Sequence, residues 1–327
     1  YKNPDLNIYL NTKLTQEFFD QYFNNKAVYP IKLKGDIILT ARANGTNANL
    51  HTNSTLNIDS NSNIYYMGAS IGDVENPVRI NLDSNYTPNR IKINNLQYDK
   101  ILTSQNNKPY TAPQLNASGT VSLLANNIAS FNNFKIKTQA PTDAKIFNII
   151  FRKPFMKQGV FTSDLTLNGT SLNPKIKGDF EITSIDIPFF DSTIRDVKLD
   201  FKNDKIYITS KGTVITNEVF LNAVMKNSLT QPYIIDYAKL RLADLDVNKI
   251  TETLRDNEAE AVKNSSLPAN TLPPFDIKQL IINKADIEAD KIKVRNINAD
   301  NFVADISLNK NGIADVKNFK FEIAQGS

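Results

Sequence analysis

Apolar and polar residues alternate with a period of two along most of the chain. Ile31, Leu33 and Ile37 alternate with Lys32, Lys34 and Asp36, and Val78, Ile80 and Leu82 repeat the pattern. Leu165 and Leu167 continue it, followed by Ile176, Phe180 and Ile182 across Gly178, then Val197, Leu199 and Phe201, Ile206 and Ile208, and Leu221 with Met225. Towards the end come Ile292 and Val294, Ile306 and Leu308, and Phe319, Phe321 and Ile323. Successive side chains of a strand point to opposite faces, so each run predicts a β-strand with one apolar and one polar face. Strands of a fully buried parallel sheet would be continuously apolar instead. The expected fold is mainly β, a mostly antiparallel meander wet on one side.

The turn residues agree with short antiparallel links. Asn44-Gly45, Asn168-Gly169 and Asn311-Gly312 lie between or beside strands, and Asn-Gly supplies the positive φ of tight hairpin turns. The run from Leu308 to Ile313 is the clearest hairpin. Two segments have helical spacing. Phe18 with Tyr22, and Phe19 with Phe23, fall at i, i+4 within residues 14–27, with Thr15 as N-cap. Residues 249–263 are rich in Glu and Ala. Pro154 interrupts the chain near residues 153–157, and Pro268, Pro273 and Pro274 mark a second break. The expected organisation is a β-rich region over residues 1–155 with a helix near 14–27, and a meander over 156–262 ending in a helix near 249–263. A Pro-containing linker follows over 263–274, and a closing meander over 275–327.

Composition narrows the classes of function. No apolar run approaches the roughly 20 residues needed to span a bilayer as a helix. The chain begins at Tyr1 and ends at Ser327 just after a strand, which predicts a segment excised from a longer protein. There is no cysteine, so disulfides and thiol chemistry are excluded. The net charge of +4 is spread among interleaved acids and bases, as in Lys198-Leu199-Asp200-Phe201-Lys202, whereas a nucleic-acid binder gathers its bases on one face. No nucleic-acid partner is expected. Asn makes up about one residue in eight, well above ordinary usage. That abundance makes the glycosylation-like triplets at Asn44, Asn53 and Asn168 uninformative.

Candidate chemistry is sparse. His51 is the single histidine and lies in an Asn/Thr stretch with no acid or nucleophile beside it in sequence. No nucleophile elbow, phosphate loop or dinucleotide fingerprint occurs. Asp59-Ser60-Asn61-Ser62-Asn63 imitates the opening of a calcium loop, but Ile64 and Ser70 stand where that loop needs Gly and Glu. Asp256, Glu258 and Glu260 read as a solvated helix face. Neither an enzyme nor a cofactor or metal is expected. The informative excess is apolar: one-faced strands must be covered by a second sheet, by helices or by a ligand. A closed sandwich and an open trough for lipid tails both meet that need.

From Gly159 to Thr170, and again from Asn173-Pro174 to Ile182, the chain resembles the AsmA/TamB superfamily: a glycine, an alternating strand, Gly-Thr, a short gap, Asn-Pro, and a second strand carrying Gly178. Residues Phe275 to Ile323 are similar to the closing region of AsmA-like proteins, with Ile287-x-Ala289-Asp290-x-Ile292-x-Val294, an Asn-Gly turn, and Phe319-Lys320-Phe321-Glu322-Ile323-Ala324. The likeness covers residues 159–325. It implies an elongated, curved β-sheet forming an open apolar groove, in a periplasmic protein held in the inner membrane by a segment not present here. It further implies that the protein carries phospholipids or other acyl lipids towards the outer membrane, with inner- and outer-membrane proteins as possible partners. The groove is then expected to be lined by Leu165, Leu167, Ile176, Phe180 and Ile182, by Leu199, Phe201 and Ile206, and by Ile292, Val294, Phe302, Ile306, Phe319, Phe321 and Ile323. The competing expectation is a structural or adhesive β-sandwich or β-helix with a closed interior.

Overall fold

The computed structural model describes residues 5–24, 30–66, 69–73, 75–104, 106, 108–124, 128–146, 158–187, 192–214, 217–227, 232–249, 252 and 279–323. The fold is mainly β. Seventeen strands belong to one mostly antiparallel sheet that does not close, and three form a small second sheet. Two short helical elements lie near the N-terminus. Contacts divide the chain into two units, one made of residues 1–154 and 161–176, the other of 155–160 and 177–327.

In the first unit the chain runs through β1 (Asp5–Lys13), α1 (Gln16–Phe19) with a π-helical turn (Asp20–Asn24), β2 (Lys32–Lys34), β3 (Ile37–Thr46), β4 (Asn49–Ile58), β5 (Asn63–Tyr66) and β6 (Ala69–Ile71). It continues through β7 (Val78–Thr87), β8 (Arg90–Thr103), β9 (Pro109–Leu123), β10 (Ala129–Thr138), β11 (Thr142–Asp143) and β12 (Val160–Thr170). Antiparallel ladders join β1, β3, β4, β7, β8, β9, β10 and β12 in that order. The small sheet is β2-β5-β6.

The second unit holds most of β13 (Asn173–Ile187), then β14 (Ser192–Lys202), β15 (Lys205–Val214), β16 (Asn217–Lys226), β17 (Tyr233–Asp246), β18 (Leu280–Val294), β19 (Ile297–Leu308) and β20 (Ala314–Ile323). Each strand pairs antiparallel with the next except β17 and β18, which are parallel. A parallel pair needs a long crossover, and residues 247–279 supply it. The helix expected near 249–263 and the linker at 263–274 fall in this crossover and lie outside the described residues, apart from helical positions at 247–249 and 252.

Local chemistry accounts for the turns. Asn309 closes the β19–β20 hairpin: its side-chain oxygen accepts from the backbone N–H of Asn311 (2.9 Å) and Ile313 (3.2 Å), and Gly312 takes the positive φ of 77°. At Asn44-Gly45 and Asn168-Gly169 the expectation shifts. The strands run past both pairs and turn at residues 47–48 and 171–172. The glycines instead allow close strand approach, since a Cβ at Gly45 would meet the backbone of Asn49 and one at Gly169 that of Asn173. Thr15 caps α1 as its spacing predicts, accepting from the Phe18 N–H at 3.3 Å.

A second layer covers one corner of the first unit. Leu14, Leu33 of β2, Ile64 of β5 and Ile71 of β6 pack onto Ile37, Ile58 and Val78, which are 0–1% exposed. Tyr98 lies against the same cluster, and burial, with the Asp73 and Asp143 carboxylates adding to it, pushes its phenol up to about 12. Because the folded value lies above the unfolded one, the folded chain holds an extra proton between about pH 10 and 12, and stability falls as pH rises through that window. Absorbance titration at alkaline pH is expected to show Tyr98 ionising late, alongside Tyr237, whose hydrogen bond to the Asp286 carboxylate also raises its phenol. Tyr98→Phe should remove one late-ionising group and flatten the loss of denaturation midpoint above about pH 10.

Candidate functional site

The registers convert the alternation of single strands into continuous surfaces. In the second unit, residues directly opposite one another form the row Phe180–Leu199–Ile208–Ala223–Ala238–Ala285–Ile306–Val316 across all eight strands β13 to β20. Beside it runs Phe201–Ile206–Met225–Ile235–Ile282–Leu308–Ala314. On the other side lies Ile182–Val197–Ser210–Leu221–Leu240–Ile287–Ala304, apolar except for one serine. Strands lie roughly 4.8 Å apart, so each row extends on the order of 30 Å. Its floor is low at the centre, where Ala223, Ala238 and Ala285 stand side by side among Ile208, Leu221, Ile235 and Ile282.

The first unit has the same construction. Leu10–Ala41–Ser54–Leu82–Leu96–Ala117–Ile136–Leu165 crosses eight strands from β1 to β12. A parallel row, Ile8–Ala43–Thr52–Ser84–Ile93–Gly119, carries one hydroxyl pair at its middle. Thr52 Oγ1 and Ser84 Oγ lie 2.7 Å apart and satisfy each other.

The opposite faces are polar. The row Glu181–Lys198–Thr209–Asn222–Lys239–Asp286–Asp305–Lys317 alternates with the apolar rows of the second unit. Lys198 pairs with Glu181 (3.1 Å), Lys239 with Glu288 (2.6 Å) and Lys205 with Asp236 (3.3 Å). Hydrogen bonds from Lys284 and from the Tyr237 hydroxyl (2.8 Å) hold the Asp286 carboxyl below its ordinary range. Exposed pairs of this kind add little stability each. Their effect is on register, because a slip of one residue would drive these charges onto the apolar face.

Strict alternation fails at several points, and asparagine repairs it. Phe131 and Phe134 are three residues apart, as are Ala299 and Phe302, and Val316 and Phe319. Between the members of each pair sits an Asn at positive φ: Asn133 (48°), Asn301 (53°) and Asn318 (50°). Asn133 marks a register shift in the β10–β12 ladder, and Asn301 and Asn318 mark shifts in the β19–β20 ladder. The extra residue of a bulge absorbs the odd spacing, so the apolar side chain returns to the same face. Asn tolerates that conformation better than other non-glycine residues.

The expected groove residues are placed as follows. Leu165 and Leu167 are half-buried in the first unit, opposite Ile136 and Phe134, and Ile176 is buried in the same unit. Phe180, Ile182, Leu199, Phe201, Ile206 and Ile306 share the rows of the second unit. Phe302 faces Ala289, and Ile292 faces Leu245 and Ala299. Val294 is 38% exposed, opposite Ile297. Phe319, Phe321 and Ile323 are the most open, at 57%, 42% and 67%, with Phe319 edge-on to Phe302 at 5.3 Å. The contributions of β17 and the alanines of the floor are additional: Ala carries almost no hydropathy signal, and the bulge beside Tyr237 breaks the period in β17.

Other candidate residues fall on polar surface. His51 lies between Asn44 and Asn85, 3.1 Å from Asn85 Oδ1 and 3.8 Å from an Asp83 oxygen. Residues 59–63 form a turn in which Ser62 Oγ accepts from the Asp36 N–H at 2.8 Å. Among the described residues no three His, Asp or Glu side chains converge on a metal position, and no helix is long and apolar enough to cross a membrane. Compared with known proteins, the chain matches no family model, no curated protein and no solved structure.

Two substitutions separate an uncovered face from a closed one. If the alanine row meets no second layer, Ala238→Leu costs under about 1 kcal/mol in urea denaturation, whereas Val78→Phe in the two-layered corner should cost about 1–3 kcal/mol. The bulge is tested by Asn301→Ile, expected to lose about 1–2 kcal/mol, while Asn301→Gly stays near the parent stability.

Proposed function

We propose that the apolar faces bind the acyl chains of lipids and that the protein is a segment of a lipid conduit of AsmA/TamB type, passing phospholipids between the inner and outer membranes. The observation that carries this reading is the continuity of the apolar rows, eight strands wide in the second unit and broken only by Ser54 in the matching row of the first. Among the described residues, the large apolar side chains that are fully buried are Ile37, Ile58 and Val78, all at the covered corner of the first unit. Along the alanine row of the second unit, every member of the packed cluster among the described residues comes from β15 to β18.

Such a surface fits an acyl chain for a physical reason. Moving about 15 methylenes through water costs roughly 0.8 kcal/mol each, on the order of 12 kcal/mol in all. A continuous apolar track removes most of that barrier and needs no directional polar contact, because a tail has no groups to orient. The periplasmic setting and the anchor in the inner membrane come from the resemblance of residues 159–182 and 275–323. A closed sandwich, the alternative, needs a second apolar layer of comparable width within each unit.

Purified chain is expected to carry co-extracted phospholipid in native mass spectrometry and to take up a fluorescent phospholipid. Phe180→Asp should lower uptake at least tenfold while leaving the β-type circular dichroism intact. Lipid-free protein that takes up none would refute the proposal, and unfolding of the Phe180 variant would favour the closed interior.

A further inference from the structure

The helical segment at residues 16–24 is turned inside out. Gln16, Asp20 and Asn24, spaced four residues apart, form one polar stripe. That stripe faces the protein. Gln16 Oε1 accepts from the Leu33 N–H (2.7 Å) and Gln16 Nε2 donates to Ile31 O (3.1 Å). Asn24 Oδ1 accepts from the Ile31 N–H (2.7 Å), and Asn24 Nδ2 donates to Ile31 O (2.9 Å). Both amides also donate to Asp20 Oδ1 at 2.7 Å, which holds that carboxyl below its ordinary range. The stripe thus replaces a neighbouring strand for the backbone groups of Ile31 and Leu33, and rotating the helix would strand them.

The consequence is an aromatic face turned to solvent. Phe18, Tyr22 and Phe23 are 42%, 64% and 57% exposed. With Phe19 they form one cluster, ring centroids 5.1–5.9 Å apart. An amphipathic surface helix ordinarily does the reverse. Glu17 and Gln21 are exposed on the same helical segment, and exposed Lys32 and Lys34 flank Leu33 on the strand to which the helix is tied.

We infer that this face inserts into the interfacial layer of a lipid bilayer. Size decides against a protein partner of the ordinary kind. Aromatic residues bury 150–250 Å² each when fully covered, so the three half-open rings offer on the order of 300 Å², under half of the roughly 800 Å² per partner in a stable interface. A bilayer requires no matching shape. It accepts aromatic rings at the depth where their polar rim and nearby lysines reach the headgroups. The insertion is independent of the groove.

The chain has no tryptophan, so Phe23→Trp provides a single reporter. With the full chain and vesicles of phosphatidylcholine, alone or with phosphatidylglycerol, its emission is expected to shift to the blue and to be quenched by lipids brominated in the upper acyl chain. In co-sedimentation, the triple variant Phe18→Ser, Tyr22→Ser, Phe23→Ser should lose at least tenfold in vesicle binding, with unchanged circular dichroism and unchanged uptake of the fluorescent phospholipid. Emission that stays at the water-exposed position, or equal sedimentation of parent and triple variant, overturns the inference. So does concentration-dependent self-association that the triple variant abolishes, which would assign the face to a second copy of the chain. Loss of uptake in the Phe180 variant with insertion retained would separate groove from anchor.

Discussion

Register is the constraint on which everything else rests. Side chains of a strand alternate between two faces, so every ladder must align apolar with apolar to within one residue. Here that condition is met through seven successive pairings in the second unit, and in the first with one serine, Ser54, in the row. The polar faces enforce it from the other side: Lys198 opposite Glu181, and Lys239 beside Glu288, contribute little energy where they stand but would be costly on the apolar side. The sheet is specified less by the strength of any contact than by the penalty for every neighbouring register.

Holding register over so many strands requires a correction mechanism, and asparagine provides it. At Asn133, Asn301 and Asn318 the spacing of apolar residues stretches from two to three, and a positive φ takes up the difference. The abundance of Asn, uninformative as composition, acquires a structural use at these bulges. Each bulge also adds local twist, so the residues that keep the face in phase shape the sheet as well.

The two units treat their apolar faces unequally. In the first, the small sheet and Leu14 seal the corner around Ile37, Ile58 and Val78. The same corner carries the inverted helix, whose polar stripe completes the hydrogen bonding of β2 and whose rings face outward. Sealing and display are thus coupled through one strand, since Leu33 packs inward while its backbone N–H binds Gln16.

The β class, the one-faced strands, the Asn309 hairpin and the Thr15 cap were legible in the sequence, because each depends on residues close together in the chain. So were the strands that carry the candidate groove residues, from Leu165 to Ile323. The lining itself was only partly legible. Ala223, Ala238 and Ala285 have no individual signal and matter because three ladders bring them side by side. The parallel pairing of β17 with β18 depends on a crossover whose length the alternation does not encode. The outward aromatic face was hidden for the same reason: Phe18, Tyr22 and Phe23 have the spacing of a core-facing helix, and only the amides of Gln16 and Asn24, engaged on Ile31 and Leu33, decide which side meets the protein. Local periodicity determined what each strand offers; pairing between distant strands decided which offers were joined, and which were left facing solvent.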